Sequence, residues 1–542
     1  MTRSDPPSSN LLMEFPDPKS RALPKASKRE HRAIATVLVL VAVVPFVRAL
    51  GFGFVYDDVW IVQHNPAIVG WRSLLTLWQH PYWMDAEGVQ AGLYRPMQTA
   101  ILAIVRNASG GWPIWFHLYA LLLHATVTLL VWRLLDRGVR RWPGVLGALW
   151  FAAHPVHVEA IANISNSAEP LVALCTLGLY FVLARMAGRH VRWRDALLAA
   201  VLFLGAMLSK ESGALTLAIA LFAVEAWREP NESAQAPDTN DSPLQSLAIL
   251  WRRWRRVVIA GLGAAAIIGV VRLLVLGSAL HGGASMAAVG IEHMSTLQRA
   301  SAMLSLGPMV LRLLVWPSMH NPYYGPSYFP AGSDAMVAVL ATVGVLTLAV
   351  AGAIWLARQP ANTSPRDARP LAAITWTLLA FLPASNLFVA TGQILAERTL
   401  YVPSIGMAML LAWNLDRLTA VIERRGRWNR HTRTAPLATS ICFAVIVPVC
   451  LRFAAVSQRG TAAWRSHRAL SEQMIAADPR GYRGHYMLAL ELRRGASSDS
   501  VRHEFATAYA LYPKDPQLNA DYDRFLLAHK GPGDAGQIVG PQ

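Results

Sequence analysis

Long apolar runs separated by short arginine clusters recur along most of this chain, and they leave little choice of fold. A helix needs about 20 apolar residues to cross the hydrocarbon of a bilayer. Inside lipid every backbone N–H and C=O must find its partner within the protein, which restricts spanning segments to helices or closed barrels. Runs near 33–51, 113–134, 143–157, 168–187, 195–209, 212–228, 257–276, 334–357, 371–386, 398–416 and 435–456 fit helices. The expectation is an all-α polytopic membrane protein with about eleven transmembrane helices. Composition agrees, because 15% of the 542 residues are charged where a soluble domain carries about 25%.

The net charge of +17 raises the question of nucleic acid, and the placement of the arginines answers it. They cluster at 133–141, 185–194, 252–256, 358–369 and 417–433, between apolar runs. That is the bias expected of cytoplasmic loops, so no nucleic-acid partner is expected. The intervening loops carry few basic residues and hold Asp57, Asp58, Asp85, Glu87, Glu159, Glu169, Glu292 and Glu397. One parity satisfies every loop and leaves the C-terminal segment outside. Residues 1–32 form a basic cytoplasmic tail with no convincing cleavage site after the first run, so 33–51 is expected to stay as a span. Cys175, Cys442 and Cys450 lie in apolar runs without pairing or ligand spacing and read as packing residues.

Residues 33–456 are therefore expected to form the membrane domain. Its first outer loop is 52–112, with Trp71, Trp78, Trp83 and Trp112 suited to an interface. The stretches 94–108 and 298–316 contain arginines and prolines and fit surface-lying amphipathic helices better than spans. The second lies in an outer loop over 277–333. A polar stretch opens 229–256, which is expected to be a cytoplasmic linker. Beyond 457 the composition turns soluble. His485, Leu488, Ala489, Leu492, Val501, Phe505, Ala508 and Pro513 match the spacing of a tetratricopeptide helix pair. A short α-helical segment of that kind is expected over 457–530, docked on the outer face, with a disordered tail at 531–542.

Four outer clusters stand out as candidates for chemistry. Tyr56-Asp57-Asp58 offers adjacent carboxylates at a membrane surface; such a pair positions a base, holds a metal or fixes a sugar hydroxyl, or simply caps a loop. His154-Pro155-Val156-His157-Val158-Glu159 places histidines three apart near an acid, but Pro155 and the lack of a third spaced ligand argue against a metal, and Glu169 lies close enough in sequence to join a polar site. Ser209-Lys210-Glu211 is either a self-neutralising pair or a cation for a phosphate. Glu397-Arg398 opens a span just before Tyr401, and a guanidinium fork at a membrane surface suits a lipid phosphate; a plain Glu–Arg pair is the alternative. All four project to the same side under the predicted topology.

These residues run in a familiar order. Phe54–Trp60 with Asn65-Pro66, Tyr94-Arg95-Pro96-Met97, His117 with Leu121–His124, Phe151–Ala160, Leu208–Gly213, and Pro383–Leu387 leading into Ala396–Gly406 follow one another along the chain. Together they resemble the transmembrane and tetratricopeptide-repeat O-mannosyltransferases and their bacterial relatives, within the C-type (GT-C) glycosyltransferase superfamily. The resemblance covers about 50–225 and 380–520. It implies a GT-C-like multi-span enzyme that takes a monosaccharide such as mannose from a polyprenyl-phosphate carrier and transfers it outside the cytoplasm. It further implies an acceptor hydroxyl on a protein Ser/Thr or a glycan, and it implicates Asp57 or Asp58. Where relatives often read Gly-Arg-Ala-Asp/Glu, this chain has Asn166-Ser167-Ala168-Glu169, keeping the acid and losing the Arg.

The combined expectation is an inverting glycosyltransferase of a bacterial inner membrane, with site and C-terminus periplasmic. One of Asp57 and Asp58 is the base and the other orients it. Lys210 and Arg398, with Glu397 and Tyr401, form the lipid-phosphate site. Tyr94, Arg95, His154, His157, Glu159 and Glu169 shape the acceptor or sugar pocket. The lipid-linked sugar is a co-substrate, and no cofactor or bound metal is expected. The rival reading is a membrane scaffold that recruits proteins through its repeat segment.

Overall fold

A computed structural model describes residues 27–84, 90–91, 93–227, 243–277, 287–358, 367–426 and 434–529. The predicted tail at 1–32 mostly lies outside the described residues, as do 531–542. The described residues are mainly helical, with a two-stranded antiparallel ribbon pairing Trp83 with Ala91 in the loop after the first span and an isolated bridge between Tyr324 and Leu395.

Each apolar run expected to span is helical, but not each is a full span. Among the described residues seven helices are long and apolar enough to cross a bilayer, and the bent pair Arg141–Ala153 and Pro155–Ala162 makes an eighth where it is counted as one span. The bend of 47° falls at His154-Pro155, where proline removes a helical N–H. The runs near 195–209, 212–228 and 371–386 form shorter helices. Trp193–Ser209 has 17 residues, and Thr216–Ala226 follows a 3-10 turn over Glu211–Leu215. The third is the shorter apolar helix Arg369–Ala384. The extended backbone of Lys210 separates the first two.

The first helix, Lys28–Val43, is capped by the Ser27 hydroxyl, which accepts from the Glu30 N–H. It tightens into a 3-10 turn over Val44–Gly51, where Pro45 enters. The bundle core packs Leu38, Val131, Leu146, Leu179, Trp376 and Met409 with many alanines. Small residues matter here because lipid offers no hydrophobic drive between helices, so close backbone approach must supply the contact. A Cβ on Gly147 would lie 3.0 Å from both the Ala408 carbonyl oxygen and the Ala412 methyl.

The expected linker over 229–256 is corrected in its second half. A single helix runs Pro243–Leu276, so the arginines at 252–256 belong to a helix that continues into a span. Trp254 and Val257 on that helix are buried, while Arg253 pairs with Glu225 at 3.1 Å. Aliphatic stems and paired heads let such a helix end at an interface.

Outside the bundle, Pro96–Ser109 buries Gln98, Thr99, Leu102 and Ala103, and 298–316 resolves into Thr296–Ser305 and Gly307–Val315. The C-terminal segment forms four successive helices, His467–Ala477, Tyr482–Leu492, Ser498–Leu511 and Pro516–Ala528. Leu470 and Met474 of the first join Phe46, Val55, Val158, Ile161 and Trp464 in one apolar cluster. Tyr323 packs against that cluster and also against the one formed by Tyr482, Tyr486 and Phe505. The segment is thereby seated on the helical bundle and its connecting loops at Phe46, Val55, Val158 and Tyr323.

Candidate active site

The chain leaves its first helix and turns sharply at Tyr56, whose φ of 59° lies in the left-handed region. Non-glycine residues enter it at a cost and are held there by surrounding packing. Here the Tyr56 ring meets Trp464 edge-on, centroids 6.4 Å apart. The turn sends the two following carboxylates to different places.

Asp58 points inward and is 1% exposed. Its oxygens accept the backbone N–H groups of Ile164 at 2.9 Å and Ser165 at 2.7 Å. Burial pushes its acid up to about 7, against the opposing pull of those two bonds. Asp57 is partly exposed, and its carboxylate has no hydrogen bond or ion pair among the described residues. Burial by the surrounding protein raises its acid too, opposed by the charges of Arg398, Arg483 and Arg95. One carboxylate is saturated and the other is open.

Arg398 sits in the 3-10 turn Glu397–Leu400 that opens the helix Tyr401–Gly426. Its backbone N–H donates to Glu159 at 3.1 Å, and its guanidinium pairs with the same carboxylate. Glu159 lies in the first turn of Val158–Ala162, where free backbone N–H groups favour an anion. Glu169 stands likewise in the first turn of Ala168–Met186 and accepts Lys210 Nζ at 2.6 Å. Arg95 packs over the Tyr82 ring at 5.0 Å and reaches Glu211 Oε2 at 2.7 Å through Nη2 and 3.0 Å through Nε. Arg272 also approaches Glu211, at 3.7 Å. Tyr94 turns its hydroxyl to the Trp78 carbonyl at 2.8 Å. Ser167 accepts Gln98 Nε2 at 2.8 Å and is fully buried.

Several of the residues expected in the lipid-phosphate site or the sugar pocket lie in the core. Tyr401, His154 and His157 have no exposed surface. The Tyr401 hydroxyl donates to His124 Nδ1 at 2.7 Å, since His124 Nε2 faces the Ala152 carbonyl at 3.2 Å. His154 Nε2 bonds the Leu314 carbonyl and His157 Nε2 meets Ser404 Oγ. Buried rings with such partners lock helices together. Glu397 is also fully engaged. It accepts from His320 Nδ1 at 2.7 Å, the Asn321 N–H at 2.8 Å and the Tyr324 hydroxyl at 2.7 Å. Among the described residues no three His, Cys, Asp or Glu side chains converge as ligands.

His320, Tyr323, Trp464 and Arg483 were not singled out by spacing or motif. Trp464 Nε1 donates to His320 Nε2 at 3.1 Å, which leaves the proton on Nδ1 for Glu397. Arg483 comes from the second C-terminal helix, with its guanidinium 5.8 Å from the Tyr323 ring and 5.3 Å from that of Tyr486. Nothing in the local sequence marks these residues, because their partners lie far away along the chain.

The site thus holds a part-exposed carboxylate with no hydrogen bond or ion pair among the described residues, under the charges of Arg398, Arg483 and Arg95, two of them in ion pairs of their own. A carboxylate of this kind can accept a proton from a hydroxyl, and guanidinium groups can meet an anion.

Comparison with known proteins bears on this arrangement. A family model described as dolichyl-phosphate-mannose-protein mannosyltransferase matches residues 95–234, a stretch holding Arg95, Glu159, Glu169 and Lys210. A human protein O-mannosyl-transferase, TMTC4, is 27% identical over 496 residues, covering 85% of this chain and 64% of its own length. Mouse TMTC3 is 27% identical over 405 residues, covering 71% of this chain and 42% of its own. The chain therefore spans less than two thirds of the length of these relatives. Among solved structures, the apo oligosaccharyltransferase of Archaeoglobus fulgidus aligns with a TM-score of 0.42 at 11% identity, over 80% of this chain and 56% of that one.

Proposed function

We propose that this chain, which is similar to protein O-mannosyl-transferases, is a membrane glycosyltransferase that moves one sugar from a polyprenyl-phosphate carrier to an acceptor hydroxyl on the extracytoplasmic side. Mannose is the sugar named in its relatives, and a protein Ser/Thr or a glycan supplies the hydroxyl. The reading gives the membrane domain the chemistry and the C-terminal helices a place beside it.

Asp57 is the general base. Its carboxylate takes the hydroxyl proton as the acceptor oxygen attacks the anomeric carbon. The bond from that carbon to the phosphate oxygen breaks with its electron pair going to the polyprenyl phosphate. A single displacement inverts the anomeric centre. Negative charge grows on the leaving phosphate, where a positioned guanidinium is most effective; Arg398 fills that role, with Lys210 behind it. Asp58 does not exchange protons in this scheme. It anchors the loop by its bonds to Ile164 and Ser165.

The observation that carries the reading is the contrast between the two acids, one saturated by backbone N–H groups and one unpaired. The experiment is transfer of labelled mannose from polyprenyl phosphate to a Ser/Thr-rich peptide by the full chain in lipid nanodiscs. Asp57→Asn is expected to lose activity by roughly 10²- to 10⁴-fold, the usual scale of a general base, with its thermal stability unchanged. Full activity in Asp57→Asn removes the proposed base.

A further inference from the structure

The helix Pro243–Leu276 carries Arg252, Arg253, Arg255 and Arg256 close together. Trp254 and Val257 turn inward, and Arg253 stays on their side, paired to Glu225 at 3.1 Å. Arg252, Arg255 and Arg256 stand at i, i+3 and i+4, a spacing that gathers them on one helical face. Beside that face lies the turn between Ala168–Met186 and Trp193–Ser209, where Gly188 reverses the chain at a φ of 85°. Residues 189–191 of the turn and the four arginines line a recess of about 90 Å³.

One of these cations is fixed. Arg256 Nη1 donates to the Val191 carbonyl at 2.6 Å and to His190 Nε2 at 2.7 Å, and its guanidinium lies 5.9 Å from the Trp193 ring. Three others carry no counter-charge. Glu225 is taken by Arg253 and, at 2.8 Å, by Trp254 Nε1, and Asp195 accepts the Arg192 N–H at 3.3 Å. Arg189, Arg252 and Arg255 are exposed and make no ion pair among the described residues. Like charges gathered round one recess repel one another, and an anion between them turns that repulsion into attraction.

Depth favours an anion that belongs to the bilayer. The stretch of this helix apolar enough to cross a membrane runs Ala248–Leu276, so the arginines lie within its first three turns. Trp193 and Trp251 are exposed beside them, and indoles favour the headgroup level. A lipid phosphodiester is held at that depth, whereas a soluble anion is not. Its oxygens suit guanidinium forks, which donate in pairs.

We propose that this recess binds the headgroup of an anionic glycerophospholipid through Arg189, Arg252 and Arg255, with Arg256 as its fixed wall. The phosphodiester bridges the turn and the helix, and so fastens the span Ala248–Leu276 to its neighbours. The contact is separate from sugar transfer. The recess lies at the N-terminal end of Trp193–Ser209 and Lys210 follows its C-terminal end, about 25 Å away at the helical rise per residue.

The test measures lipid retention by the full chain in detergent micelles, by native mass spectrometry and by melting temperature. Phosphatidylglycerol, zwitterionic phosphatidylcholine or sodium phosphate is added. Wild type is expected to retain phosphatidylglycerol and to melt higher with it, and to do neither with phosphatidylcholine. Each arginine beside an anionic headgroup contributes about fivefold in affinity, so Arg252→Gln with Arg255→Gln is expected to weaken retention about 25-fold. Both side chains are exposed, so the bundle packing is kept. Arg189→Gln, on the turn, is expected to weaken retention about fivefold. Arg133→Gln with Arg137→Gln removes the same charge from another exposed pair and is expected to leave retention unchanged. Equal weakening in the two double variants shows attraction by general surface charge and overturns the proposal. A wild type that holds both lipids alike overturns it too, as does undiminished retention in Arg189→Gln and in Arg252→Gln with Arg255→Gln. Sodium phosphate that raises the melting temperature as much as the lipid assigns the recess to a free phosphate and overturns the lipid headgroup.

Discussion

Glu159 holds Arg398 twice, accepting its backbone N–H at 3.1 Å and pairing with its guanidinium. The two residues stand 239 positions apart, so this one carboxylate fastens the entry of the helix Tyr401–Gly426 to the bent pair near His154-Pro155. Both side chains are buried. Removing one partner of a buried pair leaves the other charge uncompensated, at a cost of about 3–5 kcal/mol. Glu159→Ala is therefore expected to lose stability on that scale in denaturant melts of the purified protein. Glu159→Gln, which keeps an acceptor for the backbone N–H, is expected to lose less. Equal losses would assign the whole effect to the ion pair.

Asp58 gives a pH signature. Its folded acid lies at about 7, above its ordinary 3.8, so the native state binds this proton more tightly than the unfolded chain does. Stability from this group is highest at low pH and falls as pH rises from about 4 to about 7, then levels off. Melting temperature plotted against pH is expected to follow that fall in the wild type. Asp58→Asn removes the titration and is expected to flatten this part of the curve. It also turns an amide N–H toward the Ile164 or Ser165 N–H, costing roughly 1–3 kcal/mol. A wild-type curve that rises through the same window contradicts the assignment.

Lys210 and Glu169 form a second buried pair, 2.6 Å apart. Lys210→Met leaves Glu169 charged and buried, whereas Lys210→Met with Glu169→Gln leaves no net charge behind. The double variant is expected to be more stable than Lys210→Met alone, by roughly 1–3 kcal/mol of coupling. A double variant as unstable as the sum of its singles shows that the pair is not coupled.

The helices were legible because lipid forces length and hydropathy into register, and each predicted apolar run is helical. Span count was less legible. Lys210 and Glu211 are stabilised where two short helices meet, by partners at positions 169 and 95, and no local pattern announces such partners. The linker over 229–256 was drawn too long because the arginines at 252–256 read as loop charge, although Trp254 and Val257 between them bury one face of a helix. Within the site, adjacency marked Asp57 and Asp58 as a pair but gave no way to part them. That depends on the left-handed turn at Tyr56 and on two N–H groups over a hundred residues away. Glu397 followed the same pattern in reverse. Its place beside Arg398 suggested a phosphate site, and its three bonds to the 320–324 loop were invisible without the tertiary structure.

That loop depends in turn on Trp464. Its indole N–H donates to His320 Nε2 at 3.1 Å, and His320 Nδ1 passes the restraint to Glu397 at 2.7 Å. The same indole packs against the Tyr56 ring, so one side chain braces both the turn that carries Asp57 and the loop beside Arg398. Trp464→Phe keeps most of the apolar contact but strips the donor, leaving a buried imidazole nitrogen unsatisfied. The expected loss of stability is about 1–3 kcal/mol. Trp464→Phe combined with His320→Phe, which removes both ends of that bond, is expected to recover part of the loss from the missing donor while freeing Glu397. Hydrogen exchange over 316–328 measures the effect on the loop directly. Faster exchange there in Trp464→Phe, with the bundle helices unchanged, is the expected result; protection equal to wild type shows that Glu397 holds the loop without the indole.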